Sequence, residues 1–374
     1  MADITAITMP QWGLTMTEGK VVGWLKRAGE TVAAGEDLLE IETTKITNVF
    51  EMAEAGILRR IVAEAGTTLP VGGLLAVAAP ETVTDAEIDA FIAEFAVPMP
   101  TAEADAPVTA LQPHAIDAGG RRLRYLELGA GASTPLVLVH GFGGDLNSWM
   151  FVQPALAEGR RTIALELPGH GGSTKDVGTG DPDALTDAAE AMLSALGIER
   201  CHLVGHSMGG AIAALLALRR PQRIASLALI ATAGLGPEIN GGFIDGFVRA
   251  GRRREAVEAL NQLVYDPASI SRAMIEEVLR YKRLDGVAAA LATIAGAWFP
   301  GGRQALDLRP QIAALGSPVQ LIWGRDDRVI PAAQAEPFAS RLPVAILDTA
   351  GHLPHLEKPV ETIRLIKAQI AARD

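Results

Sequence analysis

An internal repeat in the first 79 residues constrains the fold of this chain more than any other feature. The two copies share their glycines, which recur 37 residues apart as the pairs Gly19 and Gly56, Gly29 and Gly66, and Gly35 and Gly72. Short alternating apolar stretches separate these glycines, a pattern typical of short strands joined by tight turns. Two similar halves therefore predict a small all-β barrel or sandwich with a pseudo-twofold axis over residues 1–79.

One lysine, Lys45, falls between the two copies of the repeat and has apolar strand patterns on both sides. Most lysines are ordinary solvated surface residues. A lysine between two strands of so small a domain is expected at the tip of a hairpin, as far from the core as the domain allows.

Residues 9–19 and the run Glu42-Thr43-Thr44-Lys45 resemble the lipoyl domain family, and the resemblance covers residues 1–79. Thr44 replaces the aspartate that usually precedes the lipoylated lysine. Biotin carriers, a sister family, place methionines on both sides of their lysine, whereas this chain has Thr44 and Ile46. The resemblance implies that lipoate is attached covalently to Lys45.

Residues 80–115 have the composition of a linker, with seven acidic residues, no Lys or Arg, and a run rich in Ala and Pro towards the end. Within it, residues 84–95 predict a short helix that starts at a capping box of Thr84 and Glu87. Its apolar stripe has helical spacing and consists of Ile88, Phe91, Ile92 and Phe95. The stripe is expected either to dock the first domain onto a partner enzyme or the second domain, or to pack back onto its own barrel.

Residues 116–374 alternate short apolar runs with helical patterns, which predicts one α/β domain with buried parallel strands in a doubly wound sheet. The apolar runs are 136–139, 162–165, 201–204, 227–230, 319–323 and 344–347. From residue 231 to 314 the pattern is mostly helical, so we expect a lid over one end of the sheet. The chain is thus predicted to be multidomain, with a small all-β domain, a flexible linker and an α/β domain.

The run Gly205-His206-Ser207-Met208-Gly209 directly follows one of these strands and opens a predicted helix, 209–220. Spacing alone is a weak signal, because glycine makes up 39 of 374 residues. The strand–turn–helix context is more specific, since a nucleophilic serine at the carboxyl end of a sheet needs this tight turn. The alternative is that Ser207 simply caps the helix.

A nucleophilic serine needs a base and an acid that orients the base. Asp327 and His352 each follow a predicted strand, and the chain order Ser207, Asp327, His352 resembles that of the α/β-hydrolase family over residues 120–370. The family pattern selects Asp327 rather than its neighbour Asp326. His355 is expected to start a helix.

The run His140-Gly141-Phe142-Gly143-Gly144 looks like the oxyanion segment of the same family. The resemblance implies that the backbone N–H groups of Phe142 and Met208 face the tetrahedral intermediate. His140 is expected to shape this loop, and residues 167–173 are interpreted as a structural loop.

A lipoyl domain joined to an α/β-hydrolase domain resembles the acetoin dehydrogenase acetyltransferase family. The resemblance implies transfer of an acetyl group from lipoyl-Lys45 to coenzyme A. It also implies two partner enzymes, a thiamine-diphosphate enzyme that cleaves acetoin and a dihydrolipoamide dehydrogenase. Whether the chain forms a homo-oligomer is left open. Lid residues 252–254, three consecutive arginines, are candidates for the coenzyme A phosphates or simply form a solvated helix face.

The sequence alone leaves two other functions open. The chain could be a carrier-tethered thioesterase or carbon–carbon bond hydrolase with water as acceptor, or a scaffold with an inactive hydrolase domain. Within the acetyltransferase hypothesis, the sequence does not separate an acyl-serine route from direct transfer between thiols.

Composition excludes several other classes of function. A net charge of −11 disfavours nucleic-acid binding. The lone cysteine, Cys201, excludes a disulfide framework and a cysteine-rich metal cluster, and no metal site is predicted. The longest uncharged stretches are too interrupted for a membrane span, and no secretory signal is recognisable, so we expect a cytoplasmic protein.

Overall fold

The computed structural model describes residues 4–10, 18–43, 47–52, 54–95, 112–270, 272–312 and 314–372. The chain forms two compact units that meet in sequence between residues 112 and 113. Within the described residues, no helix has both the length and the apolar character needed to cross a membrane.

The first unit is the predicted two-sheet domain. Its strands are β1 (Thr5–Thr8), β2 (Glu18–Trp24), β3 (Thr31–Val32), β4 (Asp37–Glu42), β5 (Thr47–Glu51), β6 (Gly56–Ile61), β7 (Thr68–Pro70) and β8 (Leu74–Ala78). They form two four-stranded sheets, in the orders β1-β8-β6-β3 and β5-β4-β2-β7.

The sequence repeat corresponds to the symmetry of these two sheets. A shift of 37 residues along the sequence aligns β2, β3 and β4 with β6, β7 and β8. The equivalent strands therefore occupy equivalent places in the two sheets. The turn glycines repeat as well, since Gly29 and Gly66 have φ of 93° and 92°, and Gly35 and Gly72 both have 81°. Such positive φ values favour glycine, which explains why these residues recur. The core between the sheets includes Val21, Leu38, Ile41, Leu58 and Leu75.

The helix predicted at 84–95 is present as α1 (Asp85–Glu94), with the expected capping box of Thr84 and Glu87. Ile88 of its stripe is buried, and Phe91, Ile92 and Phe95 are half-buried against the same apolar cluster of the first unit. The residues of this cluster are Ile4, Ala6, Leu74, Val77, Ala79, Val83, Ile88, Phe91, Ile92 and Phe95. Arg59 and Arg60 of β6 also pair with Asp85 at 3.1 Å and Asp89 at 2.8 Å. The helix therefore packs onto its own barrel, which was one of the two arrangements expected for its apolar stripe, and docking onto a partner enzyme stays a prediction.

The second unit contains one eight-stranded sheet. Its strands are β9 (His114–Ala118), β10 (Arg121–Leu128), β11 (Leu136–Val139), β12 (Thr162–Glu166), β13 (Cys201–His206), β14 (Ile224–Ile230), β15 (Val319–Gly324) and β16 (Val344–Leu347), and the sheet order is β16-β15-β14-β13-β11-β12-β10-β9. Strands β11 to β16 pair in parallel and coincide with the predicted apolar runs. Strands β9 and β10 pair antiparallel and were not expected. The first of them begins inside the predicted linker.

Helices connect these strands. They are α2 (Gln153–Leu156), α3 (Pro182–Ala195), α4 (Met208–Arg219), α5 (Gly241–Arg249), α6 (Arg253–Leu260), α7 (Arg272–Lys282), α8 (Val287–Trp298), α9 (Arg309–Ile312), α10 (Pro354–Glu357) and α11 (Pro359–Ala371). Helices α5 to α9 lie between β14 and β15, where the sequence predicted a helical lid. Contacts place the lid over the carboxyl ends of the central strands, because Phe247 of α5 contacts Phe142 and Tyr281 of α7 bonds to Gly169.

Candidate active site

Ser207 is the single residue between the end of β13 and the start of α4. Its φ of 53° and ψ of −120° are strained for a residue with a side chain. The neighbouring glycines are required by close packing: a Cβ on Gly205 would lie 2.4 Å from the carbonyl oxygen of Gly209, and one on Gly209 would lie 2.2 Å from that of Val139. The serine side chain makes no capping hydrogen bond to α4, so an ordinary helix cap does not explain it.

Asp327 and His352 are joined by a hydrogen bond. Asp327 follows β15, and its Oδ2 lies 2.8 Å from His352 Nδ1, with both side chains buried. The other oxygen, Oδ1, accepts the N–H groups of Val329 and Ile330 at 2.8 and 2.9 Å, which fixes the carboxylate. Because an ionised carboxylate only accepts, the imidazole proton lies on Nδ1 and Nε2 is left as the basic nitrogen.

His352 lies beside the strand end that carries Ser207. His206 Nε2 donates to the backbone oxygen of His352 at 2.8 Å, and the two rings are 4.8 Å apart. On its other side, the His352 N–H donates to the carbonyl of Leu263 in the lid at 2.7 Å. The expected acid and base thus meet directly, next to the strained serine.

The loop after β11, residues 140–144, also approaches Ser207. A Cβ on Gly141 would lie only 2.9 Å from the Cβ of Ser207, so the backbone of this loop packs against the serine. Among the described residues, neither the N–H of Phe142 nor that of Met208 has a hydrogen-bond acceptor. Both donors therefore remain available to an oxyanion near Ser207.

Comparison with known proteins places the chain in a family. A model described as alpha/beta hydrolase fold matches residues 134–359, and one described as biotin-requiring enzyme matches residues 5–77. The chain is 47% identical over 362 residues to the dihydrolipoyllysine-residue acetyltransferase component of the acetoin cleaving system of Pseudomonas putida, covering 96% of each chain. The chain belongs to this family of acetyltransferase components. The protein of the same description from Cupriavidus necator is 41% identical over 98% of this chain and 97% of its own.

Solved structures resemble the second unit of this family member. A meta-cleavage product hydrolase from Pseudomonas fluorescens superposes with a TM-score of 0.64 and 23% identity, covering 70% of this chain and 98% of that one. At this identity the likeness concerns the fold alone.

Lys45, the predicted lipoylation site, lies outside the described residues. The strands on either side of it are described: β4 and β5 pair antiparallel up to Glu42 and Thr47. Only residues 43–46 connect these two strands in the sequence.

Glu357 is a functional candidate that the sequence analysis missed. Its two carboxylate oxygens accept the N–H of Gly351 at 2.7 Å and that of the lid residue Tyr265 at 2.5 Å. Burial raises the pKa of Glu357 to about 7. The carboxylate joins the residue preceding His352 to the lid, a role that only the three-dimensional neighbours reveal.

The arginine run of the lid has carboxylate partners of its own. Arg253 pairs with Glu276 at 3.5 Å and Arg254 with Glu258 at 2.8 Å. These pairs favour the interpretation of residues 252–254 as a solvated helix face.

Proposed function

We propose that this chain transfers an acetyl group from a lipoyl group on Lys45 to coenzyme A, as the acetyltransferase component of an acetoin-cleaving multienzyme system. The observation that carries the proposal is the hydrogen bond between Asp327 and His352 beside the strained Ser207, in a chain that also contains a lipoyl-type domain. Family membership over nearly the whole chain supports the same reaction.

Lys45 is the proposed attachment site for lipoate. The short connection between the paired strands β4 and β5 suits a lysine that must be reached by a modifying enzyme and then by several active sites. The flanking residues Thr44 and Ile46 favour lipoate over biotin by the family resemblance. When attached and reduced, lipoate supplies a thiol that holds the acetyl group as a thioester.

In the first half-reaction, His352 Nε2 takes the proton of Ser207, and the serine oxygen attacks the thioester carbonyl. The N–H groups of Phe142 and Met208 stabilise the negative oxygen of the tetrahedral intermediate, at roughly 3–4 kcal/mol for one such donor. The C–S bond then breaks, and His352 returns the proton to the departing sulfur. Acetyl-Ser207 remains.

In the second half-reaction, His352 takes the proton of the coenzyme A thiol, whose sulfur attacks acetyl-Ser207. The C–O bond to the serine breaks and the proton returns to the serine oxygen, so that acetyl-CoA leaves and the enzyme is restored. Water competes for the same acyl group. The lid covers the loop of residues 140–144, which we call the oxyanion loop, with the rings of Phe247 and Phe299, 5.9 and 6.0 Å from that of Phe142. We propose that this apolar cover disfavours water.

The proposed partners follow from the acetoin-cleaving system named for the two relatives. A thiamine-diphosphate enzyme would load the acetyl group, and a dihydrolipoamide dehydrogenase would reoxidise the dithiol. Both partners would have to reach Lys45, which is consistent with a carrier domain that forms a compact unit of its own.

The decisive experiment supplies acetyl-dihydrolipoamide with and without coenzyme A and measures acetyl-CoA and free acetate. Acetyl-CoA is expected as the main product, with little acetate when coenzyme A is saturating. Acetate release at the same rate with and without coenzyme A would instead establish a thioesterase.

A further inference from the structure

Two buried imidazoles, those of His140 and His170, lie edge to face with their centroids 4.9 Å apart. His140 begins the oxyanion loop, residues 140–144. His170 belongs to the loop after β12, residues 167–173, which we call the support loop. The rings therefore fill the space between these two loops, and neither has a part in the reaction proposed above.

Each imidazole makes one hydrogen bond to the oxyanion loop and one to the support loop. His140 Nδ1 lies 2.8 Å from the Gly141 oxygen, and its Nε2 accepts the Leu167 N–H at 3.1 Å. His170 Nδ1 lies 2.9 Å from the Pro168 oxygen, and its Nε2 accepts the Gly143 N–H at 3.1 Å. Because a carbonyl oxygen only accepts, both rings carry their proton on Nδ1 and are neutral. Burial favours this state, lowering the pKa of His140 to about 4 and that of His170 well below its ordinary value.

These bonds hold the two peptide units on either side of Phe142. The Gly141 carbonyl, which accepts from His140, shares one peptide unit with the Phe142 N–H, and the two groups point in opposite directions across a trans peptide. The Gly143 N–H, which donates to His170, belongs to the next peptide unit. Fixing both units fixes the direction of the Phe142 N–H.

The support loop is itself firmly anchored. The ammonium group of Lys175 donates to the carbonyls of His170, Gly171 and Ser173 at 3.2, 2.7 and 2.6 Å. The Tyr281 hydroxyl of α7 donates to the Gly169 oxygen at 2.8 Å, which also ties the support loop to the lid.

We infer that His140 and His170 are positioning residues that hold the peptide units flanking Phe142, so that its N–H faces the oxyanion formed at Ser207. The inference rests on the proposed function, because it assumes that Phe142 donates to a reacting carbonyl at this serine. Neither imidazole contacts the reacting atoms, and both act through the loop backbone.

The test exploits the fact that asparagine places a polar atom near the position of Nδ1, whereas glutamine places one near Nε2. At position 140 the bond to the oxyanion loop comes from Nδ1, so His140→Asn should retain it and His140→Gln should lose it. At position 170 the bond is made by Nε2, so His170→Gln should retain it and His170→Asn should lose it. A role in packing alone predicts no such crossed pattern.

We expect H140Q and H170N to lower kcat ~10-fold or more with KM within ~2-fold, and H140N and H170Q to remain within a few-fold of the parent, since removal of a whole oxyanion donor costs ~10²–10³. The assays use the full chain with acetyl-dihydrolipoamide and coenzyme A, and separately p-nitrophenyl acetate. Equal kcat values for the Asn and Gln variants at both positions, or losses confined to KM, would overturn the inference.

Two controls keep the outcome decisive. If H140Q or H170N fails to fold, the two variants at the other position decide: a kcat lowered only in the variant that loses its bond to the oxyanion loop supports the inference, and equal kcat values overturn it. If the parent makes no acetyl-CoA, the proposed acetyl transfer fails. In that case turnover of p-nitrophenyl acetate by Ser207 still shows whether the crossed pattern exists.

Discussion

Backbone strain in the described residues is concentrated where the candidate site lies. Three residues other than glycine have a positive φ there, namely Ser207, Ala231 and Thr349 at 53°, 43° and 52°. Ser207 and Ala231 directly follow β13 and β14, and Thr349 lies two residues after β16. Such conformations cost about 1–3 kcal/mol each and persist only where the surrounding structure enforces them. This backbone strain therefore lies at the carboxyl ends of the strands, where Ser207 is located.

Replacing Ser207 with Ala should lower acetyl-CoA formation by ~10⁴ or more, because the proposed nucleophile, base and orienting acid would act as a unit. Acetylation of the lipoyl group by the loading enzyme should be unaffected. Asp327→Asn should cost about as much, ~10⁴, through the wrong imidazole tautomer. The matched control is Asp326→Asn, since Asp326 is partly exposed and bonds through its backbone to Ala350. Near-parent turnover by the Ser207 variant would favour direct transfer between thiols.

The imidazole of His355 should make the second unit sensitive to acid. Burial lowers the pKa of His355 to about 3, against 6.5 ordinarily. As the pH falls, the unfolded chain therefore binds a proton at this residue at a higher pH than the folded chain does. The stability that the neutral ring contributes is present above pH 6.5 and is lost as the pH falls towards 3. Its Nδ1 has no partner among the described residues, and the ring packs on that of Trp149 at 4.9 Å.

His355→Phe keeps a flat ring and removes this titration. Relative to pH 7.5, the parent should lose roughly 2–3 kcal/mol more unfolding free energy than the variant by pH 4.5. Denaturant unfolding followed by tryptophan fluorescence at both pH values measures the difference. Parallel losses in the two proteins would show that His355 does not control the acid response.

At the scale of helices and strands, the sequence predicted what its local patterns encode. The repeat predicted the paired sheets of the first unit, and the long apolar runs predicted β11 to β16. The sequence did not predict strands β9 and β10, because they pair antiparallel at one edge of the sheet and β10 is rich in arginine, so neither is a long apolar run. For α1, the spacing of the stripe predicted an apolar helix face. It did not predict which surface that face packs against, because periodicity carries no information about the surface that is contacted.

The same limit applies to the candidate site. Ser207 could be placed because a strand–turn–helix pattern is local in sequence. The bonds from His170 to Gly143 and from Glu357 to Tyr265 join residues 27 and 92 positions apart. No sequence spacing predicts such pairs, and only the folded chain reveals them.

The packing of α1 predicts that the first unit loses stability when an apolar residue of this helix is replaced by a polar one. Phe91→Ser should destabilise the first unit by roughly 1–3 kcal/mol, because its half-buried ring covers the cluster formed with Leu74 and Val77. Faster hydrogen exchange in β1 and β8 of the full chain is the measurement. Glu94→Ser, on the exposed face, is the control and should leave exchange as in the parent. Unchanged exchange in the Phe91 variant, with weakened assembly onto partner enzymes, would instead favour the docking hypothesis.

For the whole molecule, the two units divide the proposed reaction between a carrier and a catalyst. The first unit contains the lysine but none of the residues proposed for acyl transfer, and the second contains Ser207, Asp327 and His352. Each function should therefore fail separately when its own residue is changed.

Lys45→Arg keeps the positive charge and removes the amine that forms the amide with lipoate. We expect this variant to lack lipoate by intact mass and to make no acetyl-CoA from acetoin with the partner enzymes. Its turnover of free acetyl-dihydrolipoamide with coenzyme A should equal that of the parent, because the residues proposed for catalysis lie in the other unit. Lys20→Arg, in the exposed part of β2, is the matched control and should retain both activities. Acetyl-CoA formation from acetoin by the Lys45 variant would show that the acetyl group reaches Ser207 without this lysine.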